Sequence, residues 1–245
     1  MTVEERVSVV TGASRGIGKA IAVRLETAGD TLYLLDIDQE GAGDWSGHSR
    51  VRFLHCDVTS EGDVEEAAGV IRDEVGRVDV LVNNAGGFPR RLSAEEVDLE
   101  EWNRTVSLNL TSVFLVSRTM LPLLRHAPAG RIINIGSLAG QAAGWQTSPA
   151  YAAAKAGVHS LTRNMAAELA TEGITVNALA PSAVLTERIR SLRTPEELEA
   201  TARSVPLGRY QTPEEVAAWV EFLASAEAAF MTGQTVSVNG GRFMP

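Results

Sequence analysis

The chain has 245 residues, 44% hydrophobic and 22% charged, the make-up of a folded soluble protein, which excludes disorder over most of its length. Its net charge of −9 excludes a nucleic-acid partner, since binding to a phosphate backbone rests on clustered positive charge. The single cysteine, Cys56, leaves no internal disulfide or cysteine-rich zinc site, and four histidines without metal-ligand spacing give no reason to expect a metal.

The first residues, Met1 to Arg6, are acidic rather than a basic leader, and no apolar run approaches the roughly 18 residues of a membrane span. A cytoplasmic protein with no membrane partner is expected. A first strand is predicted over 7–11 and a first helix over 16–28. Between them runs Thr11-Gly12-Ala13-Ser14-Arg15-Gly16-Ile17-Gly18. In this strand–turn–helix frame Gly12 permits the tight turn, Gly16 lets the backbone approach a pyrophosphate, and Gly18 allows close helix–strand packing. Amides at the helix start then face the anion. The second strand, 31–36, ends on Asp36, 18 residues beyond Gly18. A carboxylate there accepts hydrogen bonds from an adenosine ribose diol and repels a 2′-phosphate. After the third strand, 51–56, Asp57 and Val58 are counted with the cofactor-binding residues; Asp57 either reaches the adenine or caps the helix over 61–75.

The fourth strand is predicted over 78–83 and a long helix over 99–125. A fifth strand, 131–136, delivers Ser137, and a helix over 150–171 follows. The sixth strand (174–180), a helix (213–225) and a last strand (234–239) complete the pattern. Continuous apolar strands alternating with helices make an α/β fold with a doubly wound parallel sheet, covered on both faces and joined by right-handed crossovers. No repeat or charge block divides the chain, so 1–245 is read as one domain. Residues 183–205 interrupt the alternation at the carboxyl end of the sixth strand, where such sheets bind ligands, and are read as a helical lid. Its residues Val184, Leu185, Ile189 and Leu192, with Trp145, suggest apolar walls.

Tyr151 and Lys155 stand at i and i+4 on a predicted helix, so both emerge from one face. With three tyrosines and only two lysines against 20 arginines, chance gives such a pair in roughly 2% of random arrangements. A compact ammonium fits between a phenol and a diol where a planar guanidinium does not. Such a cation within about 4–6 Å lowers a phenol's pKa and makes it a general base for an alcohol, or an acid for a carbonyl in reverse. Ser137 stands at the carboxyl edge, where its hydroxyl could hold the substrate oxygen. Asn109 lies on the apolar stripe of Trp102, Val106, Val113 and Met120, so its amide must find partners, either in a helix-to-backbone bond or in the site.

These residues, with Asn83-Asn84-Ala85-Gly86, Pro181, Thr186, Thr232-Gly233-Gln234 and Gly240-Gly241, resemble the short-chain dehydrogenase/reductase family over essentially the whole length. The resemblance implies a Rossmann fold with strand order 3-2-1-4-5-6-7, a nicotinamide cofactor and hydride transfer. It casts Tyr151 as acid/base and Lys155 as the group that holds the nicotinamide ribose and lowers the tyrosine pKa. Ser137 orients the substrate oxygen, and Asn109 holds a water linking Lys155 to solvent. Asn83, Ala85 and Gly86 brace the cofactor site, and Pro181, Val184 and Thr186 border it. Many relatives are tetramers, which makes a homotetramer the expected assembly. Ser182 stands where the family commonly has glycine, so the turn beside the nicotinamide is expected to differ. Within the family the general look is that of 3-oxoacyl-thioester reductases, although 87–92 lacks their usual Arg-Asp-Asn stretch.

The leading expectation is an NAD-dependent dehydrogenase or reductase acting on a secondary alcohol or ketone. Its rival is an NADPH-dependent 3-oxoacyl-carrier-protein reductase, which a basic patch of Arg188, Arg190, Arg193 and Arg203 would serve. A non-catalytic dinucleotide sensor is disfavoured, because Ser137, Tyr151 and Lys155 are all retained. Arg15 could bind a 2′-phosphate, but Asp36 followed by Ile37 makes NAD the expected cofactor over NADP.

Overall fold

Strand β1 (Val7–Thr11) is buried at all five positions, because it lies inside the sheet with a neighbouring strand on each edge. The computed structural model describes residues 5–88, 90–143 and 147–244. Around β1 lie β2 (Thr31–Asp36), β3 (Val51–His55), β4 (Val80–Asn83), β5 (Arg131–Ile135), β6 (Thr175–Pro181) and β7 (Thr235–Val238), in the parallel order β3-β2-β1-β4-β5-β6-β7. The order reverses between β1 and β4, which opens a crevice at the carboxyl ends of these two strands.

Alternate strand residues serve two cores. One face packs Leu81, Ile132 and Val176 against Ile71, Met120 and Leu169; the other packs Val10, Val82 and Leu179 against Ile21, Leu25 and Val220. The helices that supply these residues are α1 (Gly16–Thr27), α2 (Glu61–Glu74), α4 (Ser112–Leu124), α5 (Pro149–Leu169) and α8 (Pro213–Ala224). Full burial of each such side chain stabilises by about 1.5–3 kcal/mol. Polar groups inside the sheet are bonded across it. Asn83 Nδ2 donates to Asn134 Oδ1 at 2.8 Å and to Ser117 Oγ at 2.9 Å, and Asn134 Nδ2 donates to Thr162 Oγ1 at 2.9 Å.

The structure departs from the sequence reading in several places. Strand β4 begins at Val80, because the Val78 amide donates to the Leu123 carbonyl instead. The long helix is α3 (Leu99–Val106), a π-helical turn (Ser107–Thr111) and α4. That turn shifts the buried face, so Thr105, Asn109 and Val113 are buried while Trp102 is exposed. By length and composition Leu99–Leu124 is apolar enough to cross a membrane, although charged residues interrupt its apolar run; its buried face packs on the sheet. Asp57 does not cap α2. Ser60 does, accepting from the Asp63 amide, while Asp57 Oδ1 accepts from Thr59. A 3₁₀ helix over Gln39–Trp45 was not anticipated.

Residues 183–205 form α6 (Glu187–Leu192) and α7 (Pro195–Arg203), neither with a buried residue. Leu192 is exposed rather than part of a wall, whereas Val184 is buried and bridges to Gln211. Trp145 lies outside the described residues. Ser182 needs no left-handed backbone, since no non-glycine residue described has positive φ; its hydroxyl donates to the Asn239 carbonyl.

Candidate active site

The glycine turn closes over the carboxyl end of β1. Gly12 and Gly16 have φ of 64° and 56°, conformations that favour glycine. Asn84 Nδ2 ties the turn down by donating to the carbonyls of Thr11 and Gly12, and Thr11 Oγ1 accepts from the amides of Asn84 and Ala85. A Cβ on Gly18 would lie 1.9 Å from the Gly12 carbonyl oxygen. Helix α1 starts at Gly16 with no side-chain cap and no acid in its first turn, so the amides around Gly16 and Ile17 are left to an anion. Thr186 covers this turn; a Cβ on Gly16 would stand 3.2 Å from its methyl. Asp36 accepts from the Ser14 amide at 2.9 Å and the Asp38 amide at 3.0 Å. Val58, Asn83 and Ala85 lie together with Thr11 and Ser112 beside the turn. Uncapped amides, a space free of Cβ atoms and a carboxylate at the end of β2 fit a nicotinamide dinucleotide.

The second half of the site is built on α5. Lys155 is 3% exposed; its Nζ donates to the Ile135 carbonyl at 2.7 Å and stands 5.8 Å from the centre of the Tyr151 ring. Burial pulls the ammonium down to about 8. Burial also holds the Tyr151 phenol above its ordinary value, against a hydrogen bond with Ser137 that lowers it. Lys155, its ammonium engaged by the Ile135 carbonyl, is not among the groups that set this shift. Phe88 packs on Tyr151 with ring centres 4.8 Å apart. Ser137 ends the β5 run at φ −166° and ψ 151°, and its Oγ accepts from the Ala139 amide at 3.1 Å.

Asn109 sits in the π-helical turn and is fully buried. Its Nδ2 donates to the carbonyls of Thr105 and Gly87, each at 2.9 Å, and its Oδ1 accepts from the Gly87 amide at 2.8 Å. The helix-to-backbone bond and a clamp on the cofactor-side loop are thus both present. Gly86 lies between Asn109 and Lys155: a Cβ there would be 2.8 Å from Asn109 Oδ1 and 3.5 Å from Lys155 Nζ.

The structure adds His159, which continues the Tyr151–Lys155 face at i+8. It is buried, accepts a long hydrogen bond of 3.5 Å from the Ser137 amide at Nε2, and bonds the Gly140 backbone. Burial, aided by the Lys155 charge, pushes it down to about 4, so the ring is neutral. Its signal in the sequence is helical phase relative to Tyr151, not spacing from the other histidines.

The family model described as "Enoyl-(Acyl carrier protein) reductase" matches residues 12–242. The chain belongs to the short-chain dehydrogenase/reductase family. It is 41% identical over 247 residues to the 3-oxoacyl-[acyl-carrier-protein] reductase FabG of Vibrio harveyi, covering 100% of both chains. Among solved structures it is similar to the Pseudomonas aeruginosa RhlG/NADP active-site complex, with a TM-score of 0.91, 36% identity and 98% and 97% of the two chains covered. An actinorhodin polyketide ketoreductase with NADPH gives a TM-score of 0.91 at 34% identity, over 98% and 97% of the chains. The expected sheet order and family are borne out. As a short-chain dehydrogenase/reductase, the protein is an oxidoreductase that works with a nicotinamide cofactor.

Proposed function

We propose that this short-chain dehydrogenase/reductase is NAD(H)-dependent and moves a hydride between the nicotinamide and a secondary alcohol or ketone, with Tyr151 as general acid/base. The observation that carries this reading is the buried Lys155 ammonium 5.8 Å from the centre of the Tyr151 ring, with Ser137 acting on the same phenol. The dihydronicotinamide, when bound, supplies the hydride. Ser137 and Tyr151 together hold the substrate oxygen. The phenol hands its proton to that oxygen as negative charge develops, and takes it back in the reverse direction. Lys155 sits behind the phenol as the buried cation and holds the ribose. Asn109 keeps Gly86 and Gly87 in place beside Lys155 and carries the water that links Lys155 to solvent. Gly12, Ser14, Gly16, Ile17 and Gly18 hold the pyrophosphate, and Asp36 takes the adenosine ribose. Asp57 and Val58 lie toward the adenine, and Pro181, Val184 and Thr186 border the nicotinamide.

A specific observation favours a second reading, NADPH-dependent reduction of a 3-oxoacyl-[acyl-carrier-protein]. The chain matches reductases of that name along its full length, and a similar structure is an NADP complex. The two readings part in a screen of secondary alcohols, ketones and 3-oxoacyl thioesters, with NAD(H) and NADP(H) in parallel. The first expects NAD(H) to be preferred by about tenfold in kcat/KM; preference for NADPH with 3-oxoacyl thioesters alone would replace it with the second. Under either reading Tyr151→Phe should lose about 10²–10⁴ in rate with cofactor affinity nearly unchanged, and full turnover by the variant would remove Tyr151 from its role.

The same reading makes the protein a cytoplasmic homotetramer. Large apolar side chains left exposed, Trp102, Phe114, Trp219, Phe222 and Phe230, support it. Light scattering on the purified protein measures the assembly.

A further inference from the structure

Beyond Asp36, the chain turns back over the glycine turn and covers the adenosine end of the site. The short helix Gln39–Trp45 is anchored at its end by Trp45, buried in the core beneath. Gly41 lies against Ser14, where a Cβ would come within 2.4 Å of the serine Cβ, and Ser14 Oγ donates to the Asp38 carbonyl at 2.8 Å. Two cations rise from the turn and from α1 on this side, and each meets a carboxylate of the covering segment. Lys19 Nζ pairs with Asp44 at 2.7 Å, and Arg15 Nη1 lies 3.9 Å from Asp38 Oδ2. Ile37, between Asp36 and Asp38, is exposed and brings no charge.

We infer that Asp38 is a specificity-determining residue: by neutralising Arg15 it withholds the one guanidinium in the glycine turn from a 2′-phosphate. Asp36 is held by two backbone amides and faces the ribose directly, while Asp38 acts through Arg15. A dianion entering this corner meets carboxylates whose neighbouring cations are already engaged, whereas a ribose diol carries no charge and is indifferent to them. Cofactor choice is therefore shared between the end of β2 and the segment that follows it. The inference rests on the dinucleotide-binding reading and deepens it.

Isothermal titration of the full-length protein with adenosine 2′,5′-bisphosphate and with adenosine 5′-monophosphate tests this without using turnover. Asp38→Asn should tighten the bisphosphate about fivefold, the scale of one exposed ion pair, and leave the monophosphate within about twofold. Arg15→Gln alone should change bisphosphate affinity by less than about twofold, yet erase the gain when added to Asp38→Asn. Equal shifts for both nucleotides in Asp38→Asn would overturn the inference and leave the dinucleotide site standing. So would an Arg15→Gln loss in the native chain as large as in the variant, since Arg15 would then be at work already. Failure of the native protein to bind either nucleotide would overturn the dinucleotide reading and this inference with it.

Discussion

Replacing His159 by glutamine keeps one donor and one acceptor beside Ser137 and Gly140 but removes a group that titrates. In the folded protein burial holds the imidazole at about 4, against an ordinary value of 6.5. Between those values the unfolded chain binds a proton that the folded chain refuses. The histidine's contribution is thus fully present above about pH 6.5 and is lost as the pH falls toward 4. Two-state linkage with these two values gives a loss of about 2 kcal/mol between pH 7 and pH 5. Urea denaturation of the native protein and of His159→Gln, at both pH values and one protein concentration, reads this directly. Carboxylates such as Asp30, raised by burial, are common to both proteins and cancel in the difference. The native protein should lose about 2 kcal/mol more than the variant. Equal acid sensitivity would mean that the ring is not held neutral, and the packing argument around Ser137 would fail with it.

Gly18→Ala puts a Cβ 1.9 Å from the Gly12 carbonyl oxygen; it should destabilise by about 1–3 kcal/mol in denaturation and abolish dinucleotide binding. Gly43→Ala meets nothing within 4 Å and should lie within about 0.5 kcal/mol of the native protein. Lys155→Arg forces a larger planar head into a buried slot shaped around the Ile135 carbonyl, so steady-state rates should fall by about 10² or more; near-native turnover would show that charge alone suffices. Hydrogen exchange should find α6 and α7, which bury no residue, the least protected helices of the free protein and slower to exchange with dinucleotide bound. Unchanged rates in both helices would count against a lid.

Most of the sheet was legible because its signals are local. Apolar runs such as Val7–Thr11 and the glycine spacing at 12, 16 and 18 follow from burial on two faces and from backbone conformation. The Tyr151–Lys155 pair was legible for the same reason, since helical spacing alone puts both on one face. What escaped depends on contacts distant in sequence. The clamp of Asn109 on Gly87 and the bond from Ser137 to His159 each span 22 residues. The direction of the Tyr151 shift turned on how deeply the phenol and its lysine are buried, which charge and spacing do not report. Asp57 lost the capping position to Ser60 because both residue types cap well, and only the geometry chose between them.

The π-helical turn at Ser107–Thr111 works as a phase shift. One extra residue in that turn lets α3 and α4 run on nearly one axis while facing different neighbours: Thr105 and Asn109 point inward on one side of it, Val113, Val116 and Met120 on the other. Deleting a single residue there would restore an unbroken α-helical ladder with both flanks still facing as they do, because the wide turn takes up one residue without advancing the rotation. Asn109 would lose the widened turn that presents it, and Gly87 would lose its clamp. A length change of one residue, harmless in most exposed loops, would here reach the site.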